Sequence, residues 1–126
     1  MRICVTSSGN SLESKMDPRF GRAAYFIIAD VDTMEYEVIE NTAAASGGGA
    51  GIASGQLIAD KGVTAVITGN VGPNAMNVLK AANIEIYRGA NISVKENIEY
   101  LKKGLLDKIS TTASPHYGMC LRGGQK

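Results

Sequence analysis

The spacing of apolar positions changes repeatedly along the chain, and each change marks the edge of an element. Residues 2–6, Arg-Ile-Cys-Val-Thr, form a short run with β-branched side chains that ends in the turn cluster Ser7-Ser8-Gly9-Asn10, which predicts a first strand. Residues 25–31 are apolar and residues 36–39 alternate after Asp32-Thr33, which predicts a hairpin of strands two and three. Residues 52–61 place Ile52, Ala53, Leu57 and Ile58 at helical spacing and stop at Gly62, a residue suited to end a helix. Residues 63–68, Val-Thr-Ala-Val-Ile-Thr, read as a strand buried on both faces. Pro73 after Gly72 suits the first position of a second helix, where its missing N–H costs nothing, with Ala75, Met76, Leu79 and Ala82 turned inward. Residues 84–87 predict a short strand. Ser93-Val-Lys-Glu96 is a capping box that opens a third helix with Val94, Ile98, Leu101 and Leu105 on one side. The order is βββαβαβα, an α/β arrangement. It forms one domain over residues 1–109, with residues 110–126 expected as a loosely ordered tail.

Connectivity gives this order a direction. The hairpin turns strand two against strands one and three, and helical crossovers run strands four and five parallel to strand one. The loops that leave the C-terminal ends of four strands then share one edge, where open α/β sheets bind ligands. Three of them are rich in small residues: Asp17-Pro-Arg-Phe-Gly-Arg-Ala23, the stretch Ser46-Gly47-Gly48-Gly49-Ala50-Gly51, and Gly69-Asn-Val-Gly-Pro-Asn-Ala75. Together they offer backbone N–H groups at helix starts, fixed charge from Arg19 and Arg22, and amides from Asn70 and Asn74. Phe20, Gly21, Gly69 and Gly72 shape the same loops. An anionic ligand fits such a rim. The plainer alternative is that the glycines only permit tight turns and the arginines are solvated.

Composition narrows the classes. With 126 residues, 44% of them hydrophobic and 20% charged, the chain can bury a real core. Thirteen lysines and arginines against 12 acids give a net charge of +1, so no broad field gathers nucleic acid or an anionic membrane. No apolar run is long enough for a signal peptide or a membrane span, so the expected location is the cytoplasm. A Walker A loop is excluded because no Gly-Lys pair exists, and the Gly47 region lacks Gly-x-Gly-x-x-Gly. A hydrolytic triad would have to join Ser7, Ser8 or Ser46 to His116, the single histidine, which sits in the tail. A metal-dependent nuclease would need gathered acids, whereas Asp17, Asp30, Asp32 and Asp60 are scattered. No enzymatic constellation stands out.

Cys4 and Cys120 are too far apart for a zinc ribbon or a redox pair and read as reduced thiols, Cys4 as a core residue. His116, Met119 and Cys120 are soft or borderline donors suited to iron, copper or iron–sulfur species. They are an exposed tail or, if the tail folds over the rim, they complete a metal shell there.

The first strand, Asp17-Pro-Arg-Phe-Gly-Arg-Ala, the glycine-rich loop, Gly69-Asn-Val-Gly-Pro-Asn-Ala and the Gly89-to-Ile98 helix entry occur in an order that closely resembles the dinitrogenase iron-molybdenum cofactor family. This is the group of NifX, NafY and the C-terminal part of NifB, and the resemblance covers about residues 1–108. It implies a ribonuclease H-like three-layer α/β/α fold around a five-stranded mixed sheet. It also implies carriage of an anionic iron–sulfur or iron-molybdenum-type metallocluster without catalysis, passed between donor and acceptor proteins. The alternatives are a module that binds a small anionic metabolite or phosphoryl group, and a protein-interaction domain.

Overall fold

The protein's structure, a computed structural model, describes residues 1–41 and 50–109. The strands are β1 (Arg2–Ser7), β2 (Tyr25–Asp30), β3 (Tyr36–Glu40), β4 (Ala65–Thr68), β5 (Glu85–Arg88) and β6 (Asp107–Lys108). The helices are α1 (Ala50–Asp60), α2 (Pro73–Ala81) and α3 (Val94–Lys102), with a short 3₁₀ turn over Phe20–Arg22. One mixed sheet has the order β3-β2-β1-β4-β5-β6. β1 pairs antiparallel with β2 and parallel with β4; β4 and β5 are parallel and β6 runs against β5.

The continuous apolar runs follow from burial on both faces of the strands. Cys4, Phe26, Ile28, Val66 and Ile86 face Ile58 of α1 and Ala75, Met76 and Leu79 of α2. Their chain neighbours Ile3, Val5, Ile27, Ala29, Ala65 and Ile67 face Val94 and Ile98 of α3. Each isoleucine taken wholly out of water contributes roughly 1.5–3 kcal/mol, so these two layers hold the sheet in register.

Local signals act as the sequence predicts at three helix ends. Gly62, just past α1, has a φ of 72°, backbone that glycine adopts without strain. Pro73 opens α2 after Gly72. The Ser93 side chain accepts from the Glu96 N–H while the Glu96 carboxylate accepts from the Ser93 N–H, closing the capping box.

Four expectations are corrected. The sheet has six strands, not five, because the chain after α3 returns along the free edge of β5, with the Ile109 N–H donating to the Ile86 carbonyl. Leu105 is outside α3: the helix ends at Lys102, Gly104 turns the chain at a φ of 73°, and Leu105 is 61% exposed. Ile52 and Ala53 are exposed, and α1 instead buries Ser54, Gly55 and Ile58. Ala82 is the exposed C-cap of α2. The 110–126 tail lies outside the described residues.

Gly55 sets the spacing of α1 and α2, since a Cβ there would stand 2.9 Å from Val78 Cγ1. A larger side chain must push the helices apart. Gly55→Leu should lower the stability by about 1–3 kcal/mol, read from urea unfolding; an unchanged midpoint would show that the helices yield freely.

Candidate functional site

The C-terminal ends of β1, β3, β4 and β5 share one edge of the sheet, and strand order diverges there between β1 and β4. This is the place where a crevice opens in sheets of this kind. Polar bonds join the loops that leave β1 and β4. The Thr6 hydroxyl donates to the Asp17 carbonyl at 2.5 Å, and the Thr6 and Thr68 hydroxyls lie 2.9 Å apart. Thr6 is the donor toward both oxygens, so its single hydroxyl proton is shared between the Asp17 carbonyl and the Thr68 hydroxyl oxygen. The Asp17 N–H returns to the Thr6 carbonyl at 2.9 Å. One step on, the Asn70 N–H donates to the Pro18 carbonyl at 2.6 Å and the Phe20 N–H to the Asn70 carbonyl at 3.2 Å.

Gly69 is required by this close approach. A Cβ there would fall 2.7 Å from Pro18 Cβ and 2.8 Å from both Pro18 Cα and its carbonyl oxygen. Asn41 fastens the start of the loop after β3: its amide donates to the Gly21 and Ala23 carbonyls, at 3.2 and 2.8 Å, and its own oxygen accepts from the Ser54 hydroxyl of α1. The loops after β1 and β4 therefore meet, and Asn41, where the chain leaves β3, is tied to the first of them; residues 42–49 lie outside the described residues.

Three helices begin at this edge, but their starts differ. The first turn of α3 is closed by its capping box and by the loop after β1, whose Ser14 and Leu12 carbonyls accept from the Val94 and Lys95 N–H groups. Buried Asn97 closes the preceding segment, donating to the Ala90 and Ser93 carbonyls and accepting from the Ala90 N–H. By contrast, Gly72 offers α2 no side-chain cap, so the first N–H groups of α2 carry the partial positive charge of an open helix start.

Among the residues singled out from sequence, Asn70, Gly72 and Asn74 are exposed around the α2 start. Arg22 is exposed at the end of the 3₁₀ turn. Arg19 is also exposed, but it is not a free charge: its Nε and Nη2 donate to the two Asp17 carboxylate oxygens, each at 3.2 Å. Hydrogen bonding to Asp17 raises the Arg19 pKa further above its ordinary value, so the guanidinium stays charged. Phe20 is 1% exposed, with its ring 5.7 Å from that of Phe26, so it belongs to the core under the rim. Gly21 lends its carbonyl to Asn41, and Gly51 is the second residue of α1. Ser46, Gly47, Gly48, Gly49, His116 and Cys120 lie outside the described residues. Asp17, Asn41 and Asn97 were not picked as site residues from sequence. Nor was Arg88, which ends β5 at the same edge, opposite Asp107 but without an ion pair among the described residues.

Among the described residues no cluster of three or more His, Cys, Asp or Glu could hold a metal ion. Cys4 is wholly buried in β1, and burial pushes its thiol well above the usual range, so it offers no thiolate. Nor is any described helix long and apolar enough to cross a membrane. The rim thus presents N–H, amide and guanidinium donors, the groups that suit an anion.

In comparison with known proteins, residues 1–104 match the dinitrogenase iron-molybdenum cofactor family. The chain belongs to that family. An uncharacterized protein of Methanocaldococcus jannaschii is 38% identical over 111 residues, 86% of this chain and 91% of that protein. The apo form of the orange protein from Desulfovibrio gigas has a similar structure, with a TM-score of 0.86 and 34% identity over 90% of this chain and 96% of that one. A proposed NifB protein from Thermotoga follows at a TM-score of 0.80 and 38% identity, over 90% and 97%.

In this member of the dinitrogenase iron-molybdenum cofactor family, two substitutions test whether the loops act as one unit. Gly69→Ala must displace Pro18, so the Asn70 N–H should lose its protection from hydrogen exchange and stability should fall by about 1–3 kcal/mol. Asn41→Ala leaves the Gly21 and Ala23 carbonyls without their side-chain donor, at a cost of about 1–3 kcal/mol in urea unfolding. A wild-type exchange rate at Asn70 in the first variant would separate the loops.

Proposed function

We propose that this chain is a small, non-catalytic carrier or scaffold that holds an anionic iron–sulfur or iron-molybdenum-type cluster at the rim. The observation that carries the reading is the pairing of an open, positively polarised α2 start with Arg19, Asn70 and Arg22, on loops bound together before any ligand arrives. Membership of the family supports it, as does a similar protein known in an apo form, the term for a protein without its bound group. The cluster is cargo, and the rim donors would grip its anionic outer atoms and not its metals. Gly47, Gly48 and Gly49 would add backbone N–H groups from the loop before α1. His116 and Cys120, reaching back from the tail, would add the metal ligands that the described residues lack. Cargo of this kind passes between cluster donor and acceptor proteins, in the cytoplasm.

The ribonuclease H-like relationship belongs to the same proposal and is supported by the run β3-β2-β1-β4-β5 with β2 antiparallel. One observation favours a second reading, a small anionic metabolite bound by the same donors: no thiolate or imidazole stands at the described part of the rim.

Anaerobic reconstitution with iron, sulfide and molybdate decides between them. A carrier acquires a visible spectrum and analysable metal and sulfide, and Arg19→Ala or Arg22→Ala weakens retention by about tenfold, the loss of one charge-assisted contact. Cys120→Ser lowers the iron retained if the tail ligates. A colourless, metal-free protein after reconstitution overturns the carrier reading.

A further inference from the structure

Asp17 is an unusual neighbour for an anion site, because its carboxylate carries the wrong sign. Its side chain is 6% exposed, while that of Arg19 is 65% exposed. Both of its backbone groups are tied to Thr6, so it is fixed to β1 and not to a mobile loop. From that anchor it accepts from Arg19 three times, from the backbone N–H at 3.0 Å and from Nε and Nη2 at 3.2 Å. A guanidinium has five N–H groups in a rigid fork. Asp17 takes Nε–H and one Nη2–H, which leaves the outer Nη protons for something else.

We propose that Asp17 is the positioning residue of the rim, acting through Arg19: it holds the guanidinium so that the outer donors are presented, already ordered, to an oxyanion beside Asn70 and the α2 start. The inference rests on the rim being an anion site. An arginine side chain carries several rotatable bonds, and freezing them on binding weakens affinity. Asp17 removes that cost in the free protein. It also cancels the long-range charge of Arg19, so the pair attracts a ligand through geometry more than through net charge. The class favoured is one with two acceptor oxygens or sulfurs on one centre, matched to parallel N–H bonds.

The test is a double-mutant cycle on the full chain with inorganic phosphate as the probe, followed by the NMR shifts of the Asn70, Asn74 and Ala75 amides. Asp17→Asn should weaken phosphate binding about three- to tenfold, the range expected from ordering one long side chain. In an Arg19→Lys background, which lacks the fork, the same change should alter binding less than about twofold. The Arg19 Nε–Hε signal should be sharp in the wild type and lost to solvent exchange in Asp17→Asn, while sheet amides stay in place. Asp17→Ser, which keeps an acceptor for the Arg19 backbone N–H, is the second variant should the first unfold. Equal losses in both backgrounds, or tighter binding by Asp17→Asn, overturn the positioning role alone. No saturable shift at the rim of the wild type overturns both that role and the anion-site reading.

Discussion

The rim depends on one interior contact, the Thr6 hydroxyl, which donates between the Asp17 carbonyl and the Thr68 hydroxyl oxygen. Both threonines are fully buried. A buried hydroxyl left without a partner costs about 1–3 kcal/mol, so the chain leaving β1 is drawn to the place where β4 ends. Everything further out follows from that placement. Pro18 comes within reach of the Asn70 N–H, Gly69 must lack a side chain, and Phe20 drops into the core beside Phe26. The 3₁₀ turn then carries Arg22 at its exposed end and offers Gly21 and Ala23 carbonyls to Asn41. Two sheet threonines thus set the shape of a surface they never reach.

That geometry explains why the edge is asymmetric. All three helices start at the C-terminal ends of parallel strands, and each start carries a partial positive charge. At α3 the charge is met by the Glu96 carboxylate and the free N–H groups by Ser93, Ser14 and Leu12. The loop after β1 therefore does two things along its length: residues 8–16 close one helix, and residues 17–22 hold the surface beside another. What stays open lies on the side of the sheet that carries α1 and α2. Among the described residues, an anion there meets donors with no competing side-chain cap at the α2 start, and Arg19 with part of its fork free.

How much of this the sequence shows depends on range. Signals that act within four residues were plain: Gly62 and Pro73 at helix ends, Ser93 with Glu96, and the doubly buried run through Val66 and Ile67. The helix limits were less so. Leu105 continues an apolar spacing past Lys102, and only the turn at Gly104 breaks it, a conformation that periodicity does not register. Ile52 and Ala53 misled because α1 packs on α2 through a glycine, so the contact face is marked by the small residues Ser54 and Gly55 and not by large ones. β6 is two residues long and polar, so no alternation exists to find it. That the loops after β1 and β4 meet was legible from topology alone, but the partners that bring it about were not. Asn41 and Asn97 bond to carbonyls that are distant or unremarkable in sequence. Asp17 offered one weak sign, an acid two places before an arginine, where an Asx turn can form.

The chemistry of the donors bears on how cargo would leave. Metal held by thiolates or imidazoles departs only as those ligands are protonated or exchanged, so its release is tied to pH and to competing thiols. An anion held by N–H groups and a guanidinium breaks only hydrogen bonds and a screened charge contact. No proton has to move, because Arg19 stays charged beside Asp17 throughout the working range. On the carrier reading, the described rim would thus supply grip that is ordered in advance yet reversible, and any tail ligand would add the slower, exchange-limited part. Binding strength and release rate would then be set by different residues, with Arg19 and Asn70 governing the first and Cys120 and His116 the second.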